Sequence, residues 1–400
     1  MLGRLGSGTW PRTTILGCMV IVVIGGVLTT LPLEFGFLLA GRVLQGIGLG
    51  CVPLLMSVAR THMSSRGSAS TIAGLSVAST VGIGVGYPLI GLIEQVSGLR
   101  AAYGLGLALS VAALAVAWLV IPREKPGPVP RIDWWGAALL ALGTTGVLIL
   151  IADQSVWRTP LGWLPLLVAS VVVLAGWVTV ELHVPAPLVN LRVLSQPTVL
   201  GANVAMLVAG VGMYLLFTLF TRYLQTPSSA DYGFALPGIA SGAALIPFSA
   251  LGFVAGRTTP MLIRRTGVRW AYLLSAVAVM CAAVIFALTL DSMAAVMIAM
   301  AVLGFGVGGI SAVMPRLVLT RVPDEETASV LTVNAIVRSI GFSIGSAVGG
   351  LLLTVATSDG ELIPARGGYV TAALWALPPL ALSVAIVCAR PVTRRGRART

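Results

Sequence analysis

The 400-residue sequence predicts an all-α, polytopic membrane protein, and three observations carry that prediction. Hydrophobic residues make up 57% of the chain and charged residues only 10%, whereas a soluble domain carries roughly 25% charged residues. Mean hydropathy is +0.99. About a dozen stretches reach the ~20 apolar residues that a helix needs to cross a bilayer. Water-soluble enzyme folds are therefore excluded first. The net charge of +12 does not point to nucleic acid either, because its cations lie mostly in the segments between apolar runs.

Hydropathy, with Pro, Gly and charge as punctuation, places twelve spans in order: 13–33, 35–59, 68–95, 101–121, 133–153, 162–182, 196–221, 235–255, 269–290, 292–314, 325–355 and 369–389. The first follows Arg4 and Arg12 as a signal peptide's apolar core would. Its length and the spans behind it instead make it a retained helix. The Pro-rich stretch IPREKPGPVPR at 121–131 reads as a linker between bundles. The domains expected are an incomplete four-helix N-terminal bundle (1–121), a linker with an inserted helix pair (122–195), a six-helix C-terminal bundle (196–390) and a basic tail (391–400). The tail reads as a topology anchor near anionic lipid.

Charge placement checks the helix count. With the N-terminus inside, inner segments hold 19 Arg and Lys residues and outer segments four: Arg100, Arg158, Arg222 and Arg366. This is the positive-inside pattern, and it puts both termini in the cytoplasm of a cell-membrane protein. Cys18, Cys51, Cys281 and Cys388 show no metal-binding spacing and read as small core residues. His62 and His183 have no carboxylate partners at metal spacing, so no metal is expected. No GxxxxGK[ST] string is present, which argues against an ATP-driven pump.

An internal repeat is more informative. Gly46, Gly48, Gly50 and Met56 align with Gly304, Gly306, Gly308 and Met314 at an offset of 258. Ala69, Ser70, Gly82, Gly86 and Gly91 align with Ala328, Ser329, Gly341, Gly345 and Gly350 at 259, and Gly3, Arg4 and Arg12 align with Gly256, Arg257 and Arg265 at 253. Two similar bundles about a central site are a transporter signature, since their rocking gives alternating access. Spans 196–221 and 235–255 have no counterpart in the first copy. The pair 133–153 and 162–182 belongs to neither copy.

Three motifs now carry a resemblance. LGRLGSGTWPRTT keeps Gly3, Leu5 and Arg12 of a GxLaDrxGrk loop, with Ser7 at its acidic position and Trp10 at its second glycine. GRVLQGIGLG keeps Arg42, Gln45, Gly46 and Gly48 of an RxxqGxG motif. On span 68–95, Gly82, Gly86 and Gly91 flank Tyr87–Pro88, one residue out of step with an antiporter Gly-Pro pattern. The chain resembles the fourteen-helix drug:proton antiporter family of the major facilitator superfamily, lacking its first two helices.

The resemblance implies that Gly3, Arg4 and Arg12 latch helix ends of the other bundle, and that Arg42 with Gln45 lines the cavity and tunes proton coupling. The rival reading of Arg42 is an interfacial cation snorkelling outward. Glycines 46, 82, 86 and 91 should permit close helix contact and Pro88 should permit bending. From the residues alone, Asn203, Asn334 and Arg338 stand out as polar groups at membrane depth, where Arg338 must face protein, water or substrate. The acidic residues all fall at helix ends or in loops, and the family's principal acid lies on a helix this sequence lacks.

The function expected is proton-coupled efflux of small amphipathic compounds by a monomer. Its cavity should be walled by spans 35–59, 196–221 and 292–314. It would use no cofactor beyond the proton gradient, with the bilayer, protons and the cargo as its partners. The alternatives are an exporter of an endogenous metabolite without proton antiport, and a truncated, non-transporting membrane protein.

Overall fold

The computed structural model describes residues 11–389 except 33, 122–132, 153–158, 185–186, 188, 321, 324–325, 359–360 and 362. The helices are α1 (Pro11–Thr30), α2 (Phe35–Gly46), α3 (Cys51–His62), α4 (Ser65–Val120), α5 (Trp134–Ala152), α6 (Pro160–His183), α7 (Leu191–Leu194), α8 (Pro197–Gln225), α9 (Gly238–Ala243), α10 (Ile246–Thr266), α11 (Val268–Leu288), α12 (Met293–Val318), α13 (Thr327–Val355), α14 (Arg366–Leu374) and α15 (Leu377–Cys388). No strand occurs among the described residues. In lipid each backbone polar group must be satisfied within its own segment, which is what an apolar helix achieves. Local signals fix several starts: Ser64, Ser292 and Asp133 accept from the backbone N–H groups of Gly67, Ala295 and Gly136.

Eleven helices among the described residues are long and apolar enough to cross a membrane. They differ from the expected twelve at one place. Spans 68–95 and 101–121 are two arms of α4, broken at Gly98, whose φ of 80° is readily adopted only by glycine. Gly91 lies near Gly238 and Val77 near Gly256, while Leu107 lies on Gly26 and Trp118 on Arg12. Ile72 of the first arm packs with Met56 and Ala59 of α3, and Ile121 just past the second arm packs on the cluster holding Leu54 of the same helix, so the far ends of the arms return to one place and the chain reverses about Gly98.

The buried core is uneven. One continuous apolar cluster is built from α8 and α10–α15, with Tyr223, Tyr272, Phe220 and Phe286 fully buried in it. The earlier helices meet the later ones in small patches: Met56, Ala59 and Ile72 with Leu331, Ile15 and Leu54 with Ala328, and Ala73 and Val77 with Ala312. Helices α5 and α6 pack on each other, and α5 also touches α13.

Glycine contacts follow the repeat at one pair of positions and break from it at others. A Cβ at Gly48 would stand 2.9 Å from Val22 on α1, and one at the aligned Gly306 would stand 2.4 Å from Val279 on α11. A Cβ at Gly341 or Gly345 would fall 2.4 or 2.3 Å from a carbonyl oxygen of α8, and one at Gly304 would collide with α10. The aligned Gly82, Gly86 and Gly46 have nothing within 4 Å, and Gly91 has only an ordinary contact, 3.7 Å from Gly238. The expectation that Gly46, Gly82 and Gly86 mediate close contact is thereby corrected. Gly341 and Gly345 press against α8 and Gly304 against α10, whereas no described helix lies within 4 Å of a Cβ at the aligned Gly82, Gly86 or Gly46; Gly350, aligned with Gly91, also faces open space. Close contact among the early helices is instead made by Gly25 and Gly41, where a Cβ on either would lie within 2.7 Å of the other's carbonyl.

Gly345→Ala should lower thermal stability in detergent by about 1–3 kcal/mol through overpacking. Gly86→Ala should be neutral, or stabilising by up to ~1 kcal/mol through helix propensity. Equal melting of Gly345→Ala and wild type would disprove the tight α8–α13 contact.

Candidate functional site

A cavity of about 370 Å³ lies where the early and late helices meet. Its lining includes Gly46, Gly50, Pro53 and Met56 from 46–56, Leu75 and Ser76 from α4, Met206 from α8, Met314 from α12 and residues 331–340 of α13. Thr144 and Leu148 of α5 complete it. The three spans expected as walls all contribute. Helix α13 supplies more lining residues than any of them, and the contribution from α5 was not anticipated.

Arg338 lies about 17 Å along α13 at 1.5 Å per residue, so its guanidinium stands well inside the span. Asn334, Arg338 and Phe342 follow one another at intervals of four and share one helix face. The guanidinium carbon lies 5.9 Å from the Phe342 ring centroid, and that ring stacks on Tyr214 at 4.8 Å. Asn334 donates to Asn203 Oδ1 at 2.9 Å, while Asn203 donates to the Val199 carbonyl at 3.1 Å. Both amides are buried, so their pairing satisfies polar groups that would otherwise be costly at this depth. Asn334 and Arg338 thus come together on the cavity wall, and Asn203 buttresses Asn334 from behind.

Arg42 is placed elsewhere. It is exposed, stands 4.8 Å from the Tyr103 ring and donates to Gln45 Oε1 at 3.3 Å, and Gln45 donates in turn to Thr29. Neither Arg42 nor Gln45 lines the cavity, which corrects the position that the resemblance implied. Pro88 lies within a continuous stretch of the first arm of α4.

Gly3 and Arg4 lie outside the described residues, as do the linker and the basic tail. Arg12 donates to the Trp118 carbonyl at 2.7 Å, at the C-terminal end of α4. It therefore docks on a helix end within the early helices, and not on the other bundle where the resemblance put its latch.

The cross-contact is made by a residue the motifs did not single out. Arg60, at the end of α3, donates to Thr327 Oγ1 at 2.7 Å and to the Val322 carbonyl at 2.9 Å, clasping the start of α13. Asn190 donates to the neighbouring Glu326 at 3.3 Å. A recess of about 420 Å³ beside this clasp is lined by Arg60, Ser68 and Arg316, and Pro315 borders both the recess and the central cavity. The sequence marked Arg60 only as an inner-segment cation. Its acceptors, a backbone carbonyl and a hydroxyl, leave no recognisable string.

No acidic residue lines the cavity among the described residues. Glu181 is the one buried acid there, and it accepts from Trp177 Nε1 at 3.0 Å and from the Val189 N–H at 3.2 Å.

Two helix sets enclosing a central cavity fit what the sequence matches: residues 1–346 align with the Major Facilitator Superfamily. The chain belongs to the major facilitator superfamily. An uncharacterized MFS-type transporter of Mycobacterium tuberculosis (strain ATCC 25618 / H37Rv) is 26% identical over 363 residues, covering 88% of this chain and 51% of that protein. A multidrug resistance protein B homolog from the same strain is 24% identical over 368 residues, covering 88% of this chain and 66% of its own length. The chain thus spans from about half to two thirds of the length of these curated relatives.

The human organic anion transporter MFSD10 shares the superfamily fold at a TM-score of 0.64 and 13% identity, over 96% of this chain and 79% of that one. An auto-inhibited POT family peptide transporter does so at 0.61 and 15%, over 100% and 86%. Family membership and the eleven helices among the described residues that are long and apolar enough to cross a membrane indicate a multi-pass membrane protein.

In a background without native cysteines, Ser68→Cys in the recess should react slowly with a membrane-impermeant thiol reagent. Arg60→Ala should speed that reaction severalfold by opening the clasp; an unchanged rate would show that Arg60 does not hold the halves together.

Proposed function

We propose that this major facilitator superfamily chain is a secondary active transporter that exports small amphipathic compounds by alternating access. The observation that carries this reading is the cavity itself. It is walled by helices from both copies of the repeat and is mostly apolar, with one cation, and its volume of about 370 Å³ lies in the range of drug-sized sites. Similarity to a multidrug resistance protein B homolog and to the drug efflux pump JefA, 22% identical over 358 residues, supports efflux as the direction.

In this reading the early and late helices rock about the cavity, and the Arg60 clasp closes the end that the positive-inside pattern assigns to the cytoplasm. Arg338 and Asn334 meet the cargo, and Asn203 positions Asn334. Proton re-entry drives the cycle in the cell membrane, with the monomer as the working unit. Arg42 and Gln45 serve coupling from outside the cavity, consistent with their placement against Tyr103 and Thr29.

Ala335 lines the cavity, so Ala335→Trp should fill it. In inverted vesicles this variant should lose at least about tenfold of dye accumulation with normal membrane insertion, roughly the 1.4 kcal/mol that a tenfold change represents. Full transport in this variant would remove the cavity from the pathway. A protonophore should abolish wild-type accumulation, whereas accumulation that ignores it would rule out proton coupling.

Arg42→Ala should abolish the dependence on the proton gradient while leaving dye binding within about twofold of wild type, because its side chain lies off the cavity. Gradient-driven transport at the wild-type rate would dismiss Arg42 from coupling.

A further inference from the structure

We propose that the cavity selects anionic amphipaths: compounds with one carboxylate, or an acid group of similar shape, on an apolar body. The inference rests on reading the cavity as a transport site and adds the charge of what it carries.

Arg338 brings a permanent positive charge to the wall, since a guanidinium is not deprotonated in proteins. Among the described residues no carboxylate pairs with it and none lines the cavity. Among the described residues its guanidinium is met by the face of Phe342 at 5.9 Å, which answers a cation only weakly. A cation at membrane depth is costly unless it is answered, and such residues usually mark a ligand pathway.

The remaining polar groups of the wall sharpen the choice. Ser76, Thr144, Thr332 and Ser339 each donate to a carbonyl one turn back in their own helix, at 2.8, 2.6, 2.7 and 3.0 Å. The amide of Asn334 donates to Asn203. With those hydrogens engaged, the donors open to a ligand are the planar fork of Arg338, which alone carries charge, the second hydrogen of the Asn334 amide and the Ser311 hydroxyl. That fork matches two oxygens of a single acid group. A cationic ligand would meet a like charge with no carboxylate to offset it, and a neutral one would leave the guanidinium unanswered.

The test is equilibrium binding to the full chain in phosphatidylcholine nanodiscs, with binding to empty nanodiscs subtracted. The probes are pyrenebutyrate, its methyl ester and a pyrenebutyl trimethylammonium. Pyrenebutyrate should bind saturably and at least about tenfold more tightly than the other two, and Arg338→Gln should bring it within roughly twofold of the ester. Equal binding of acid and ester to the wild-type protein would overturn the anion preference without recourse to any variant. Saturable binding of the ester or the cation in preference to the acid would also overturn it, yet leave a ligand site in place. A preference that survives Arg338→Gln would overturn Arg338 as its source. If none of the three probes binds saturably, the transport reading of the cavity fails and takes the inference with it. Adding phosphatidylglycerol separates two sources of the same chemistry. Loss of probe binding would identify an anionic lipid headgroup as the occupant, and unchanged binding a soluble acid; either result supports an anion site.

Discussion

A charged group held away from water must be answered by something, and in this molecule that requirement falls on Arg338. Helix α13 carries it on a face shared with Asn334 and Phe342, and each neighbour is itself held from behind. Asn203 fixes the amide and Tyr214 stacks on the ring. These supports come from α8, so the wall that presents the guanidinium is a two-helix unit. Gly341 and Gly345 let those helices come close enough for the supports to reach. Packing, hydrogen bonding and electrostatics therefore converge on one side chain.

The duplicated sequence is used unequally. In the second copy, Gly341 and Gly345 are pressed against α8 and Gly304 against α10, and a single core joins α8 and α10–α15. In the first copy the equivalents of those two partners are not among the described helices, and Gly46, Gly82 and Gly86 face open space. The position whose partner exists in both copies, Gly48 or Gly306, packs the same way in each. The pattern argues that the glycines are shaped by particular neighbours rather than by a general need for helix flexibility.

Much of the fold was legible because its causes are local. Apolar run length marked the helices, and the break between spans 68–95 and 101–121 coincides with Gly98. Arg338 and Asn334 were legible for a different reason, since a polar residue deep in an apolar run needs an explanation wherever its partner lies. Arg60 was not, because a cation at a helix end is ordinary and its acceptors, the Val322 carbonyl and the Thr327 hydroxyl, are more than 260 residues away in sequence. Arg42 was misplaced because its motif specifies residue types, whereas cavity exposure depends on which way the helix is turned by its neighbours. The contribution of Thr144 and Leu148 depends on where α5 docks, which hydropathy does not encode.

Four of the five hydroxyls around the cavity, all but Ser311, turn inward to their own helices, and this has a bearing on selectivity. A wall with a single charged donor and few neutral ones grips a guest mainly at one point and leaves the rest free to swivel against smooth hydrocarbon. Such a chamber sorts visitors by the sign of their charge and by girth, with little regard for outline. Breadth of cargo would then arise from the scarcity of hydrogen-bonding landmarks rather than from softness of the protein, and a narrow-spectrum relative would need only one or two additional fixed donors.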